Sequence, residues 1–183
     1  ENKNYSDAIK YIKELISLEQ NKNPISIYQL ALAFELSGSF INAIKYYKIS
    51  EELGFKEKKI LFNNLGNVSL HNKNIKDAEH YFLKSLEIDD TNIIVLDNLF
   101  NFYIKIRSYK KADEIISKIE KIDQNSTALQ YNKIELLIIN KKFDQAEKAL
   151  KEIIDKDKNV TAYLKLATVY RRLNKIELSE KLL

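Results

Sequence analysis

Residues 59–92 read KILFNNLGNVSLHNKNIKDAEHYFLKSLEIDDTN and contain two segments of helical length joined by a short polar stretch. Apolar residues in each segment recur three or four positions apart, and Ala78, Tyr81 and Phe82 share one face of the second segment. This is the period of an amphipathic α-helix. The stretch therefore predicts a hairpin of two helices that pack face to face.

The same hairpin recurs along the whole chain. Each copy is marked by an alanine that follows an aromatic residue or isoleucine by three positions. These pairs are Tyr5/Ala8, Phe40/Ala43, Ile75/Ala78, Tyr109/Ala112 and Phe143/Ala146. Successive pairs are 35, 35, 34 and 34 residues apart, and Ile176/Ser179 adds a copy after 33 more. A period this regular predicts an array of hairpins that share one continuous core.

The pattern resembles the tetratricopeptide repeat (TPR), which has a large apolar residue, Leu, a small residue and Tyr in its first helix, then Ala and an aromatic residue in its second. The copies that carry the resemblance are Phe62, Leu65, Gly66, Ala78 and Phe82; Leu96, Leu99, Tyr103, Ala112 and Ile116; and Ile27, Leu30, Ala31, Phe34, Ala43 and Tyr47. The resemblance implies an all-α fold, a right-handed α-solenoid of antiparallel helix hairpins.

On this register the chain is a single array. The predicted full repeats are 24–58, 59–92, 93–126 and 127–159, with a half repeat at 1–23 and a truncated repeat at 160–183. The sequence begins at Glu1 without a Met and stops inside the helical pattern at 178–183, so we expect a fragment of a longer protein.

Small residues and glycines at fixed positions have structural explanations. The recurring alanines allow the two helices of a hairpin to approach closely, and Gly66 is expected to do the same. Gly38 and Gly54 fall in turns, where a positive φ favours glycine. Lys133 stands where the family has Leu, which predicts a locally irregular helix.

Composition argues against catalysis. The chain has no cysteine, which excludes thiol nucleophiles and Cys-ligated metals. It has only two histidines, and its three glycines form no phosphate-binding loop, so nucleotide binding is unsupported. His71 and His80 lack metal-site spacing and are expected at the surface. We therefore predict no enzyme activity, no catalytic residue, no cofactor and no metal site.

Charge argues against nucleic acid as a partner. The 30 basic and 26 acidic residues are interspersed, giving a net charge of +4, and this favours a solvated surface over a basic patch. No apolar run approaches the roughly 18 residues of a membrane span, so direct membrane insertion is not expected. The compartment stays open, with a slight preference for the cytoplasm.

In the family, first helices line the concave surface of the superhelix. The inward column that carries Asn in peptide-binding members reads Gln29, Asn64, Asn98, Asn132 and Lys165 here, and a second inward column includes Asn67 and Asn101. An Asn side chain offers one acceptor and two donors, enough to pair with a peptide unit. Tyr28 and Tyr131 are expected to add apolar contacts.

The leading hypothesis is a non-catalytic scaffold that binds an extended peptide segment of a protein partner in the concave groove. In the alternative, the asparagines hydrogen-bond only neighbouring repeats or water, and the chain is an assembly spacer that uses its end or convex surfaces. Open end faces also allow self-association. The sequence does not identify the partner.

Overall fold

The computed structural model describes residues 5–20 and 22–182. Residues 1–4, 21 and 183, which belong to the predicted first and last partial repeats, lie outside the described residues. The described part of the chain forms eleven α-helices and no strand, so the all-α prediction is confirmed. The helices are α1 (Tyr5–Leu18), α2 (Pro24–Leu36), α3 (Phe40–Glu52), α4 (Lys58–His71), α5 (Ile75–Ile88), α6 (Ile93–Lys105), α7 (Tyr109–Ile122), α8 (Thr127–Ile139), α9 (Phe143–Lys156), α10 (Val160–Arg172) and α11 (Ile176–Glu180).

The chain divides into two compact units, residues 1–115 and 116–183, with the boundary inside α7. In the first unit, α1 to α5 enclose an apolar core. Its fully buried members include Ala43, Tyr47, Leu61, Leu65 and Val68. In the second unit, α8 to α10 enclose another core, which includes Ile134, Ala146, Leu150, Ala162 and Val169.

Paired helices of the first unit approach closely at small residues. A Cβ atom added to Gly66 of α4 would lie 2.6 Å from the ring of Phe82 in α5, and Phe82 is completely buried. Ala43 and Ala78, which mark the second helices, are also completely buried. The expected role of Gly66 is confirmed: the absence of a side chain there allows α4 and α5 to approach closely.

Gly66→Ala should therefore destabilise the first unit although alanine favours helix formation by about 1 kcal/mol. The added methyl group must displace a closely packed ring, which costs about 1–3 kcal/mol. We expect a lower urea midpoint, and a smaller effect when the same change is made in a Phe82→Leu background. An equal effect in both backgrounds would contradict the proposed clash.

Each hairpin turn contains a residue with positive φ, but only the first is glycine. These residues are Gly38, Lys73, Arg107, Lys141 and Asn174, with φ between 59° and 77°. At each, two backbone hydrogen bonds close the end of the first helix; around Lys73 they run from Lys73 N to Leu70 O and from Asn74 N to Ser69 O. This is the Schellman arrangement. The positive φ predicted for Gly38 and Gly54 is confirmed. The positive φ of the residues in the four other hairpin turns was not predicted.

Lys73→Gly and Arg107→Gly should each stabilise the first unit. A side chain in the left-handed region costs about 1–2 kcal/mol, and the greater flexibility of glycine in the unfolded chain offsets about half of that gain. We expect an increase of about 0.5–1 kcal/mol in the free energy of unfolding, measured by urea denaturation. Lys76→Gly, in an exposed helical position of α5, is the matched control and should destabilise. A loss of stability at both turn positions would argue against strain there.

Buried serines fasten the hairpins of the first unit. Ser50 Oγ donates to Pro24 O at 2.7 Å, and Ser85 Oγ donates to Lys59 O at 2.8 Å. Each bond joins the second helix to the first turn of its partner helix. Ile119 follows Ser85 by 34 residues and is completely buried, so an apolar side chain takes this place one period later.

The prediction of a locally irregular helix near Lys133 is wrong, because α8 runs unbroken from Thr127 to Ile139. Lys133 is exposed, and its Nζ donates to Glu120 Oε1 at 2.6 Å. Leu129 and Ile134 provide the buried apolar side chains of α8. The helix therefore accommodates the lysine by placing it at the surface.

Candidate functional site

The first-helix face of the first unit is defined here by the predicted residues of α2, α4 and α6, which are Tyr28, Gln29, Asn64, Asn67, Asn98 and Asn101. Gln29 and Asn101 are exposed, and the other four residues are half-buried. The three helices are the first helices of successive hairpins. Amide side chains therefore occur on each of them in positions that solvent reaches.

Asn64 hydrogen-bonds residues of two other helices. Its Nδ2 donates to Tyr28 Oη at 2.8 Å and to Tyr47 Oη at 3.3 Å. The ring of Tyr28 stacks on Phe55, with 4.4 Å between centroids and 9° between planes. Both of these bonds use the amide nitrogen, so the donor side of Asn64 is engaged within the unit.

Tyr47 extends this network to a carboxylate. Its Oη donates to Glu35 Oε2 at 2.6 Å. Burial raises the pKa of the Tyr47 hydroxyl, and Glu35 raises it further. Burial also raises the pKa of the Glu35 carboxyl, although the hydrogen bond from Tyr47 and the nearby His71 oppose the shift. Both groups are thus held towards their protonated, uncharged forms.

The raised pKa of Glu35 predicts a pH effect on stability. Above the ordinary carboxyl pKa of 4.5, the folded chain retains a proton that the unfolded chain has lost, so the contribution of Glu35 to stability falls as pH rises through its folded pKa. Glu35→Gln removes this titration. The difference in free energy of unfolding, variant minus wild type, should therefore increase between about pH 4 and pH 8 in urea titrations. A difference that stays constant or declines would contradict the raised pKa.

The other asparagines of this face also form internal bonds. Asn98 Nδ2 donates to Asn63 Oδ1 at 2.9 Å and joins α6 to α4. Asn101 Nδ2 donates to Asp97 O, one turn earlier in the same helix, at 3.0 Å. Asn64 and Asn98 thus link first helices of consecutive hairpins, whereas Asn101 bonds only Asp97 within α6 among these contacts.

Three predicted site residues lie in the second unit. Asn132 is buried, with 4% of its surface exposed. Tyr131 is half-buried, and burial, followed by Asp157, raises its pKa. Its Oη is buried without a hydrogen-bond partner among the described residues. Lys165 Nζ lies 2.7 Å from Glu135 Oε2, which joins α10 to α8.

Sequence reasoning missed the partners of these residues. Asn63, Tyr47 and Glu35 complete the hydrogen bonds of the first-helix face, yet none belongs to the predicted inward columns. Asn63 immediately precedes Asn64, and this pair of adjacent asparagines was the feature of the sequence that could have indicated Asn63 as a hydrogen-bond partner. The bond between Tyr47 and Glu35 depends on how two helices face each other, which their spacing of 12 residues does not reveal.

Other kinds of site find no support in the described part of the chain. No cluster of three or more His, Cys, Asp or Glu residues there has metal-site geometry. His71 and His80 are exposed as expected, and His71 stacks on Phe40 with 4.9 Å between ring centroids. No helix within residues 5–20 and 22–182 is long and apolar enough to cross a membrane.

Comparison with known proteins gives one family match and clear similarities of fold. The family model for the tetratricopeptide repeat matches residues 61–92. The fold is similar to that of a tetratricopeptide repeat protein from Parabacteroides merdae, with a TM-score of 0.81 and 15% identity over 97% of this chain and 70% of the other. No curated protein matches the chain by sequence.

Two further solved structures are similar. YrrB, a TPR protein with an unusual peptide-binding site, has a TM-score of 0.60 and 17% identity over 93% of this chain and 88% of the other. A chain of the APC/C hetero-tetramer Cut9–Hcn1 has a TM-score of 0.73 and 18% identity over 98% of this chain and 35% of the other.

Residues 61–92 are therefore a tetratricopeptide repeat, and the chain has the fold of tetratricopeptide repeat proteins, as the sequence predicted. Stacked helical repeats of this kind generally form extended surfaces.

Proposed function

We propose that this chain is a protein-interaction scaffold that binds an extended peptide segment of a partner along its first-helix face, the predicted concave groove. The observation that carries the proposal is the presence of accessible amides on three successive first helices. These are Gln29 on α2, Asn67 on α4 and Asn101 on α6. An extended peptide that crosses these helices meets donors and acceptors for its backbone.

The amides of this face have two roles in the proposal. Asn64 and Asn98 hold the helices together through the bonds to Tyr28 and Asn63. Gln29, Asn67 and Asn101 contact the peptide. A net hydrogen bond contributes only about 0.5–1.5 kcal/mol, so the half-buried ring of Tyr28 adds apolar contact area, which aromatic residues supply efficiently.

The second unit offers further candidates for partner contact. Tyr131 is half-buried, so its ring offers apolar contact area to a partner. Lys165, paired with Glu135, offers charge to a polar ligand. We also propose that the chain is a single array with full repeats at 24–58, 59–92, 93–126 and 127–159.

The comparisons support a role in protein binding. YrrB is a TPR protein with a peptide-binding site, and the similar APC/C chain belongs to a hetero-tetramer. By analogy, we assign this chain a protein or peptide partner. The scaffold role requires no cofactor or metal.

The alternative is an assembly spacer that uses its end or convex surfaces. The engaged donors of Asn64 and Asn98 favour it, because a side chain that bonds a neighbouring helix is less available to a ligand. In this case the asparagines order the hairpins, and changes at the exposed amides leave partner binding intact.

A peptide selection distinguishes the two functions. Random peptides displayed on phage are selected against the chain, and the affinity of the recovered peptides is measured by fluorescence anisotropy. The triple variant Gln29→Ala, Asn67→Ala, Asn101→Ala should bind at least about tenfold more weakly, since three lost hydrogen bonds at about 0.5–1.5 kcal/mol each cost about 1.5–4.5 kcal/mol together. Its urea midpoint should remain close to that of the wild type.

The control variant is Asn42→Ala with His80→Ala, which changes exposed polar residues of the second helices α3 and α5. It should bind the selected peptides with wild-type affinity. Failure to recover any peptide, or equal affinity of the triple variant and the wild type, would refute peptide binding at this face and favour the assembly role.

A further inference from the structure

A groove lies on α2 away from the first-helix face. It is open beside the hairpin of α2 and α3, whereas the equivalent groove beside the hairpin of α4 and α5 is covered. The open groove lies in the first unit between α1 and α3, with α2 as its floor, and has a cavity volume of about 420 Å³. Its lining consists of Lys13, Ile16, Ile27, Leu30, Lys45, Tyr46 and Ile49. We call it the α1–α3 groove. None of these residues belongs to the first-helix face.

The floor of the α1–α3 groove is apolar. Ile16, Ile27 and Leu30 are at most 5% exposed, and Ile49 is half-buried. The volume is within the usual range of ligand pockets, about 300–1,000 Å³. A bulky apolar side chain of a partner can therefore enter it and cover hydrocarbon surface.

The rim of the groove is cationic. Lys13 Nζ lies 5.5 Å from the ring centre of Phe34, and Lys45 Nζ lies 5.6 Å from that of Tyr46. These two rings stack, with 5.4 Å between centroids and 10° between planes. The aromatic pair thus lies beside both lysines at one edge of the groove.

Neither lysine is neutralised. Within the described residues, no ion pair joins Lys13 or Lys45 to a carboxylate. Three and four positions away in the sequence, where a helix places neighbouring side chains, Lys13 has Ile9, Lys10, Ile16 and Ser17, and Lys45 has Ile41, Asn42, Lys48 and Ile49. No carboxylate occupies these positions, so the groove faces solvent with two unpaired charges.

The next hairpin shows how the equivalent groove is covered. The equivalent positions lie 35 residues further along the chain. There Glu51 corresponds to Ile16, Phe62 to Ile27 and Lys84 to Ile49. Lys84 Nζ lies 4.4 Å from the ring centre of Phe62 and 3.7 Å from Glu51 Oε1. A paired lysine therefore covers the aromatic floor there, whereas in the α1–α3 groove isoleucines stand at the positions of that ion pair, so the floor stays uncovered.

We propose that the α1–α3 groove is a second protein-binding surface, which accepts the bulky apolar side chains of an acidic, amphipathic peptide segment while carboxylates of the same segment pair with Lys13 and Lys45. Charge complementarity selects this occupant, because an apolar floor beneath two unpaired ammonium groups fits an acidic, amphipathic ligand. This site does not depend on the first-helix face.

The test uses the full chain and a fluorescein-labelled peptide of sequence EDELFEDE. Its control peptides are EDESSEDE, which lacks the apolar pair, and KRKLFKRK, which reverses the charge. Of the three peptides, only EDELFEDE should show saturable binding in fluorescence anisotropy. Methyl NMR signals of Ile16, Ile27 and Ile49 should shift on addition of that peptide.

Two variants test the two parts of the groove. Lys13→Glu with Lys45→Glu reverses the rim and should weaken binding of EDELFEDE by about tenfold or more, since attraction becomes repulsion. Lys10→Glu with Lys48→Glu makes the same change in net charge on the same two helices, outside the lining, and should weaken it much less. Ile16→Glu with Ile49→Lys introduces into this groove the Glu–Lys pair that covers the next one, Glu51 with Lys84. The net charge is unchanged, and binding should also be abolished.

Several results would overturn the proposal. Equal binding of EDELFEDE and EDESSEDE would mean ionic attraction without use of the apolar floor. Equal losses in the two lysine variants would mean a general charge effect, even if the ion-pair variant fails to fold. Isoleucine shifts that follow dilution of the chain, together with dimers in sedimentation experiments, would assign the groove to a second copy of the chain.

Discussion

The distance between the two helices of a hairpin controls the other contacts of the first unit. In the first unit, Gly66 brings α4 against the ring of Phe82, and completely buried alanines mark α3 and α5. At this distance a serine hydroxyl reaches a carbonyl of the partner helix, as Ser85 reaches Lys59. A larger side chain at the contact separates the helices and lengthens these bonds together, because a close-packed interior has little free volume.

Most of the fold was predictable because a periodic sequence reports burial. Alanines 34 or 35 residues apart give the number and type of the helices, and the positions of Gly38 and Gly54 give two of the turns. The left-handed conformation of Lys73 and Arg107 was not predictable, since hydrogen bonds at the helix end impose it on residues that do not favour it. The effect of Lys133 was misjudged because exposure depends on the orientation of α8 about its axis.

The candidate site was only partly predictable. Sequence spacing places Asn64 and Asn98 on first helices, but it does not give the direction of their amide groups. An amide donates from nitrogen and accepts at oxygen, so one residue can bond a neighbouring helix on one side and face a ligand on the other. The structure gives the internal half of this arrangement, from Asn64 to Tyr28 and from Asn98 to Asn63. Burial of Asn132 depends on packing within the second unit, which the column pattern does not contain.

The turns at Gly38, Lys73, Arg107, Lys141 and Asn174 share one backbone conformation despite their different side chains. The geometry of the connection is therefore specified by backbone hydrogen bonds, at a modest energetic cost when the residue is not glycine. Such positions tolerate sequence drift without altering how consecutive helices are joined. In a repeat protein, this separates the part of the sequence that maintains the architecture from the part that is free to diversify.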